Sequence, residues 1–309
     1  MSANIRYLPY LALLLAHIIW GGNFVVAKVT LQEFPPFTLA FLRFALASLL
    51  IAPFFWAETK NVKIDNKDLP KLILVGVLII TLNIGLFFEG ITRTTAINAS
   101  VLTLIVPILS VFLGWRFLKE KTSLVNLFGV IVGLIGALVI IEIPQFFIGI
   151  FSPKEFLGNG LIILASIAWV VGSIFSRQML EKYPSMVVTG IAFLIGTITF
   201  IAPAFSEYIQ NPGWIKQVSI LGIIGLTYMT LLSSISAYFL FEWGLAKTSV
   251  SKANLLHYIE PIITAGLAVA ILGEIITIPF IVGSFLIVCG VYLGTLSKEK
   301  YHQHKLHRI

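Results

Sequence analysis

Ten long apolar runs, separated by short polar segments, account for most of the chain. They lie at 8–28, 37–56, 70–90, 96–116, 123–142, 159–177, 185–205, 218–241, 252–272 and 276–296. A helix needs about 20 predominantly apolar residues to cross the hydrocarbon core of a bilayer, and every run has about this length. The pattern therefore predicts an all-α polytopic membrane protein with ten transmembrane helices.

The composition supports this prediction. Charged residues make up 11% of the 309 residues and hydrophobic residues 58%, whereas about a quarter of an ordinary soluble domain is charged. The first run follows Arg6 and could be read as a signal peptide. No small-residue cleavage site follows it, and the run continues to Val29, so we expect this segment to be retained.

The formal net charge of +7 predicts topology when the positive residues are assigned to the two sides of the membrane. Of the 21 Lys and Arg residues, 16 lie on the side of the two termini, and Arg43 lies inside the second run. The opposite side carries Lys28, Arg93, Lys154 and Lys216. This asymmetry follows the positive-inside rule and predicts an inner-membrane protein with both termini in the cytoplasm. We expect lipid as a partner and no nucleic acid.

An internal repeat divides the chain in two. Shifting residues 93–136 by 154 aligns them with 247–290 and gives eleven identities in 44 positions. A shift of 153 pairs Glu89 with Glu242, and a shift of 149 pairs residues further upstream. The informative pairs are Trp20/Trp169, Lys28/Arg177, Pro35/Pro184, Glu89/Glu242, Thr94/Thr248, Pro107/Pro261, Glu120/Glu274, Gly129/Gly283 and Gly136/Gly290.

Each half holds five runs, and since five is odd, the second half enters the membrane from the opposite side. The sequence thus predicts two inverted five-helix repeats at 1–143 and 158–297, an interfacial connector at 144–157 and a basic tail at 298–309. Inverted repeats are a common basis of secondary transporters, which bind substrate near the midplane between the two halves.

Polar residues inside the first and sixth runs predict helices that line a cavity. The segment HIIWGGNFVVAK (17–28) corresponds to SIAWVVGSIFSR (166–177). Trp20, Asn23, Trp169 and Ser173 are the candidate lining residues of these two runs. The alternative is close helix packing through small residues, with the tryptophans in the core.

Prolines near the middle of the fourth and ninth runs, Pro107 and Pro261, should release the carbonyl groups four residues earlier, those of Thr103 and His257. A cavity ligand, water or a neighbouring hydroxyl could satisfy these carbonyls. His257 and Glu260 replace Thr103 and Val106 of the first repeat, and their spacing of three puts them on one helical face. An intramembrane ionisable group costs about 2.5–3.5 kcal/mol, so it usually faces water or a partner. The pair is a candidate proton relay; the alternative is a structural pair satisfied by its neighbours.

Further candidates lie in other runs. Arg43 should lie about 9 Å inside the second run and pair with Glu89 or with a substrate carboxylate, unless it snorkels to the headgroups. His17 and Glu89 complete the proton-coupling candidates, and Asn83, Ser236 and Tyr238 the cavity candidates. Glu120 and Glu274 are expected to cap the helices that they precede.

The whole chain resembles the drug/metabolite transporter superfamily, specifically the ten-span EamA-type permeases. The stretches that carry the resemblance are WGGNFVVAK (20–28), PPFTLAFLRFALASLLI (35–51), TTAINASVLTLIVPILSVFLG (94–114) and AKTSVSKANLLHYIEPIITAGLAVAILGE (246–274). The family's Leu-Gly-Glu is intact at Leu272-Gly273-Glu274, whereas the first repeat has Lys119-Glu120-Lys121. The resemblance implies export of small metabolites, amino acids or drugs through a central cavity.

The predicted function is therefore secondary transport of a small molecule by alternating access, with proton coupling as an option and no enzymatic activity. No nucleotide-binding GxxxxGK[ST] motif is present, and we expect no cofactor or resident metal. The alternatives are a polytopic enzyme acting on lipid-linked substrates, which would need a catalytic or metal-ligand cluster, and a receptor or assembly subunit.

Overall fold

The computed structural model describes residues 3–60, 62–120, 123–140, 153–272 and 278–295, and nearly all of them are helical. The helices are α1 (Ala3–Thr30), α2 (Pro36–Thr59), α3 (Leu69–Ile91), α4 (Ala96–Leu102 and Ile105–Leu118), α5 (Leu124–Ile140), α6 (Pro153–Met179), α7 (Ser185–Gln210), α8 (Ile220–Ala246), α9 (Val250–Leu255, Leu256–Ile259 and Glu260–Leu272) and α10 (Ile278–Thr295). Each coincides with one predicted run. Seven of them, α1–α4 and α6–α8, are long and apolar enough to cross a membrane.

Large apolar side chains cover the outside of the bundle. Leu49 is 70% exposed, Phe285 69% and Ile198 62%. Apolar exposure on this scale would be unfavourable in water, whereas a lipid environment accepts it. The prediction of a polytopic helical membrane protein is confirmed.

The boundary between the repeats differs in one detail from the prediction. The interfacial connector was predicted to cover 144–157, but Pro153 already opens α6. The first turn of a helix tolerates proline because its backbone N–H has no intrahelical partner there. The rest of the predicted connector before Pro153, residues 144–152, lies outside the described part of the chain. Glu274 and the basic tail at 298–309 lie outside it as well.

Contacts between α5 and α10 have the symmetry of an inverted repeat. A Cβ atom on Gly129 would lie 2.7 Å from the carbonyl oxygen of Gly290, and one on Gly136 would lie 2.6 Å from that of Gly283. The shift of 154 exchanges these two contacts. Residue numbers rise along α5 as they fall along α10, so the two equivalent helices are antiparallel, as inversion requires.

Irregular turns also occur at equivalent places in the two halves. A π-helical turn spans Val77–Leu82 in α3, and another spans Met229–Ser236 in α8. The shift of 154 carries 77–82 onto 231–236. Such turns, in which the backbone bonds run from i to i+5, are frequently found at functional sites.

The helix is interrupted before Pro107 and before Pro261, and the carbonyl groups released there find hydrogen-bond partners in the backbone. The carbonyl oxygen of Thr103 accepts a hydrogen bond from the N–H of Val106 at 2.9 Å, and that of His257 accepts one from the N–H of Glu260. A tightened 3₁₀-type turn thus replaces the lost bond. A backbone N–H, which was not among the expected partners, therefore satisfies each carbonyl.

Glu120 caps a helix of the other repeat, not α5 as predicted. Its carboxylate accepts hydrogen bonds from the N–H groups of Val250 (2.7 Å) and Ser251 (3.2 Å) and from the Ser251 hydroxyl (2.6 Å). These groups form the first turn of α9, where the positive end of the helix dipole favours an anion. The start of α5 is capped locally, since the N–H of Asn126 donates to Ser123 Oγ.

Replacing Glu120 with alanine is expected to lower the free energy of unfolding by about 1–2 kcal/mol, the range measured for lost helix caps. Thermal unfolding of the purified protein in detergent measures the effect. Glu58→Ala is the matched control, since Glu58 is an exposed carboxylate near the end of α2. Equal melting temperatures for both variants would contradict a capping role.

A polar cluster joins two loops at one end of the bundle. Lys182 Nζ donates to both carboxylate oxygens of Asp68 at 2.8 Å, and the Tyr183 hydroxyl donates to Asp68 Oδ2 at 2.9 Å. These hydrogen bonds, with that from Lys182 the larger effect, hold the pKa of the Asp68 carboxyl below its ordinary value. The cluster connects the segment that precedes α3 with the α6–α7 loop.

Candidate functional site

A cavity of about 530 Å³, a volume that includes its mouth, lies between the two repeats. Helices α1–α4 of the first repeat and α6, α8 and α9 of the second contribute to its wall. Nine of the predicted residues line it: Trp20, Asn23, Arg43, Asn83, Thr103, Trp169, Tyr238, His257 and Glu260.

The tryptophans paired by the repeat meet at this cavity. The ring centroids of Trp20 and Trp169 are 5.1 Å apart in an edge-to-face arrangement, and Tyr238 contacts both rings. The Trp20 indole N–H donates to the carbonyl of Ser233 at 3.0 Å, and that of Trp169 donates to Asn254 Oδ1 at 3.0 Å. The rings are thereby held in place as an aromatic wall.

Three ionisable side chains from α1 and α9 form one cluster beside the aromatic wall. His17 Nδ1 lies 2.8 Å from Glu260 Oε1, and His257 Nδ1 lies 2.9 Å from the same oxygen. His17 is fully buried behind the cavity, whereas His257 and Glu260 line it. The predicted proximity of His257 and Glu260 is observed, and His17 reaches the pair from the other repeat.

The hydrogen bonds of His17 fix the number of protons in this cluster. Its Nδ1 faces a Glu260 carboxyl oxygen, and its Nε2 faces the carbonyl oxygen of Ala253 at 3.2 Å. A carbonyl oxygen only accepts, so Nε2 must carry a hydrogen. The Nδ1 contact then needs its own proton, from an imidazolium or from a protonated Glu260. With both contacts made as hydrogen bonds, His17 and Glu260 together would hold one proton more than a neutral imidazole and a carboxylate.

The same three side chains are candidate metal ligands by geometry. One ligand atom from each of His17, His257 and Glu260 lies within 4.8 Å of the others. Imidazole and carboxylate are ordinary ligands of zinc. Of the two short contacts to Glu260 Oε1, that of His17 at 2.8 Å is a hydrogen bond, whereas His257 Nδ1 lies at 2.9 Å without hydrogen-bond geometry. A directional hydrogen bond on the shared oxygen fits a proton between His17 and Glu260 better than a metal ion.

Arg43 is buried in the wall of the cavity and is 1% exposed. Its Nε donates to the Ser234 hydroxyl at 2.6 Å, and its Nη2 donates to the Ser233 hydroxyl at 3.0 Å. Both serines belong to the π-helical turn of α8. The predicted contact with Glu89 is wrong because Glu89 forms an ion pair with Arg93 one turn away. Snorkelling to the headgroups is also wrong, since the guanidinium points to hydroxyls of the bundle interior.

The hydrogen-bond partners of three neutral polar residues in the wall show which of them is available to a ligand. Asn83 Nδ2 donates to the carbonyl of Ala165 at 2.9 Å, and the Thr103 hydroxyl donates to the carbonyl of Ser100 at 2.6 Å. Asn23 is 6% exposed, and its Oδ1 has no hydrogen-bond partner among the described residues. A buried acceptor of this kind is available to a ligand.

Two predicted cavity residues lie elsewhere. The Ser173 hydroxyl is buried and donates to the carbonyl of Trp169 at 2.9 Å. The Ser236 hydroxyl donates to the carbonyl of Leu231 at 2.9 Å, within the π-helical turn. Neither belongs to the cavity wall, and each hydroxyl satisfies a carbonyl of its own helix.

Six lining residues were not predicted: Phe24, Ile84, Phe87, Val106, Ser166 and Ser233. The repeat alignment could have identified Ser166, because the shift of 149 aligns it with His17. Ser233 lies in the polar turn that contains Ser236, and the helix rotation that selects it is not readable from spacing. The apolar four cannot be distinguished in sequence from residues that face lipid or a neighbouring helix.

The chain is similar to known transporters over nearly its whole length. The model of the EamA-like transporter family matches residues 8–142 and 156–296. An uncharacterized transporter of Archaeoglobus fulgidus is 31% identical over 95% of this chain and 98% of its own length. A probable amino-acid metabolite efflux pump of Salmonella typhimurium is 26% identical over 92% of this chain and 93% of its own. A solved crystal structure shares the fold with a TM-score of 0.71, at 18% identity over 96% of this chain and 98% of its own.

Proposed function

Because the chain belongs to the EamA-like transporter family, and is therefore a small-molecule transporter of a membrane, we propose that it is a proton-coupled secondary exporter. It exports small metabolites, amino acids or drugs by alternating access around the cavity between the two repeats. We propose no catalytic reaction for it. The partners are the substrate, the bilayer and protons.

The observation that carries the proposal is the buried contact between His17 Nδ1 and Glu260 Oε1 at 2.8 Å, which needs a proton between the two atoms when His17 Nε2 donates to the carbonyl of Ala253. Glu260 lines the cavity, so that substrate and proton sites adjoin. His257, which lies 2.9 Å from Glu260 and also lines the cavity, is the natural route between this carboxyl and cavity water. Histidine changes charge near neutral pH, which suits it to pass a proton.

Alternating access is supported by the antiparallel repeats and by where the cavity lies. Its wall residues in α1 and α3, from Trp20 to Phe24 and from Asn83 to Phe87, lie toward the ends at Thr30 and Ile91. On the opposite side of the midplane, the Ser176 hydroxyl donates to the buried Glu242 carboxyl at 2.6 Å. We propose from the charge asymmetry that both termini lie in the cytoplasm of an inner membrane, and with that orientation we interpret the structure as an outward-facing conformation.

Flux measurements in proteoliposomes test the proposal. A panel of radiolabelled amino acids and organic acids is expected to contain a compound whose flux exceeds that of protein-free vesicles. Coupling to one proton should sustain about ten-fold accumulation per unit of imposed pH gradient, the equivalent of about 1.4 kcal/mol. Equal accumulation with and without the gradient would contradict proton coupling, and no flux above the empty vesicles for any compound would contradict transport.

A further inference from the structure

We infer that the ligand of the cavity is a small organic monocarboxylate with an apolar group and no ammonium, and that its carboxylate binds the Arg43 guanidinium. The inference rests on the proposed function, since it names the substrate class of the same site. Three features of the cavity wall support it: an unneutralised cation, the absence of a free counter-charge for an amine, and the aromatic wall.

The Arg43 guanidinium is a buried cation without an anion. Its two engaged nitrogens donate to neutral serine hydroxyls, and Nη1 is buried without a hydrogen-bond partner. Among the residues that the structure describes, no carboxylate lies within 4.0 Å of it. Burying a charge is costly unless it is paired. Guanidinium is the side chain best suited to bind a carboxylate through two parallel hydrogen bonds.

The acidic groups near the cavity are already engaged. The only carboxyl in its described wall is that of Glu260, which is hydrogen-bonded to His17 and lies 2.9 Å from His257. Glu242 is bonded to Ser176, and Glu89 is paired with Arg93. A ligand ammonium would therefore lack a carboxylate partner and would share the cavity with a guanidinium of the same sign.

A zwitterionic amino acid is the closest competitor, because its carboxylate could bind Arg43 while its ammonium faced the free Oδ1 of Asn23. One neutral amide oxygen does not replace the hydration of an ammonium ion. The same oxygen is sufficient for an uncharged donor such as a hydroxyl. A carboxylate without an ammonium is therefore the better match.

The apolar part of the ligand is defined by the rest of the wall. Trp20, Trp169 and Tyr238 lie on one side, and Phe24 and Phe87 form a ring pair with centroids 5.3 Å apart. Aromatic surfaces of this kind bind a ring or a branched chain by burial and edge-to-face contact. We therefore expect a carboxylate joined to an aromatic or branched apolar group.

Three ligands with one carbon skeleton test the charge preference: 3-phenylpropionate, its neutral amide 3-phenylpropionamide, and phenylalanine, which adds the ammonium. Calorimetric titration of the purified full-length protein measures their affinities. 3-Phenylpropionate is expected to bind about 10- to 100-fold more tightly than the amide, as a charged hydrogen-bonded pair requires. Phenylalanine should bind at least about ten-fold more weakly than 3-phenylpropionate, because its ammonium loses water without gaining an anion.

The variant Arg43→Gln should bind acid and amide equally, and Arg43→Lys should retain part of the preference for the acid. Arg116→Gln is the control because Arg116 is exposed near the end of α4, and it should behave as the wild type. If Arg43→Gln does not fold, the wild-type series decides alone. Phenylalanine or the amide binding as tightly as 3-phenylpropionate, or no binding of 3-phenylpropionate up to about 10 mM, overturns the inference.

Counterflow of the same compounds in proteoliposomes distinguishes failure of the anion site from failure of transport. Selective binding of 3-phenylpropionate without flux would contradict the proposed transport and retain the anion site. Flux of phenylalanine in preference to 3-phenylpropionate would retain transport and overturn the anion site.

Discussion

Replacing Glu260 with glutamine is expected to abolish proton-driven accumulation of substrate while sparing exchange of substrate across the membrane. The amide fills the same volume, and its NH2 group can donate a hydrogen bond to Nδ1 of a neutral His17, but it cannot gain or release a proton. With a gradient of two pH units, a transporter coupled to one proton sustains about 100-fold accumulation, whereas the variant should remain at about one-fold. The labelled compound with the highest flux in the panel serves as substrate.

The control for this experiment is Glu58→Gln, which changes an exposed carboxylate far from the cavity. Counterflow without a gradient verifies that Glu260→Gln is folded and still cycles. Accumulation at the wild-type level in Glu260→Gln, together with wild-type rates in His257→Ala, would remove the proton relay. Loss of both accumulation and counterflow, with a normal melting temperature, would instead place Glu260 in substrate binding.

Much of the fold could be predicted because a bilayer permits few solutions. Every buried backbone group must be satisfied within a helix, so run length alone identified the spans. The repeat added three-dimensional information: Trp20 and Trp169, aligned by a shift of 149, are in contact at the cavity. Lys28 donates to the carbonyl of Thr94, and its counterpart Arg177 donates to that of Thr248.

The hydrogen-bond partners of polar side chains could not be predicted as reliably as the membrane spans. Depth along a helix follows from residue number, but rotation about the axis does not, and α3 and α8 each contain a π-helical turn that changes it. Arg43 and Glu89 were therefore placed together by depth, whereas the turn in α8 brings Ser233 and Ser234 to Arg43. Glu120 was assigned to its own helix because a single sequence does not reveal which helix of the other repeat lies nearby.

Introducing a side chain at Gly290 is expected to have the largest effect on stability. Its Cβ would lie 2.5 Å from the backbone nitrogen of Gly133 and 2.7 Å from the carbonyl oxygen of Gly129. These are backbone atoms, which cannot rotate aside as a side chain can, so α5 and α10 would have to separate. Small residues at helix crossings in membranes serve this close approach. We expect Gly290→Val to lower the free energy of unfolding by about 3 kcal/mol or more.

The same substitution at Gly266 is the matched control for the Gly290 variant. Gly266 lies in α9 and is exposed, and no heavy atom lies within 4 Å of a Cβ built there. Both variants carry the same change in helix propensity from glycine to valine, so their difference in melting temperature isolates the contact between α5 and α10. Because the two contacts at Gly129 and Gly136 are exchanged by the repeat, Gly136→Val should be as damaging as Gly129→Val. If Gly290→Val has the same melting temperature as Gly266→Val, the two repeats are not held together through these helices.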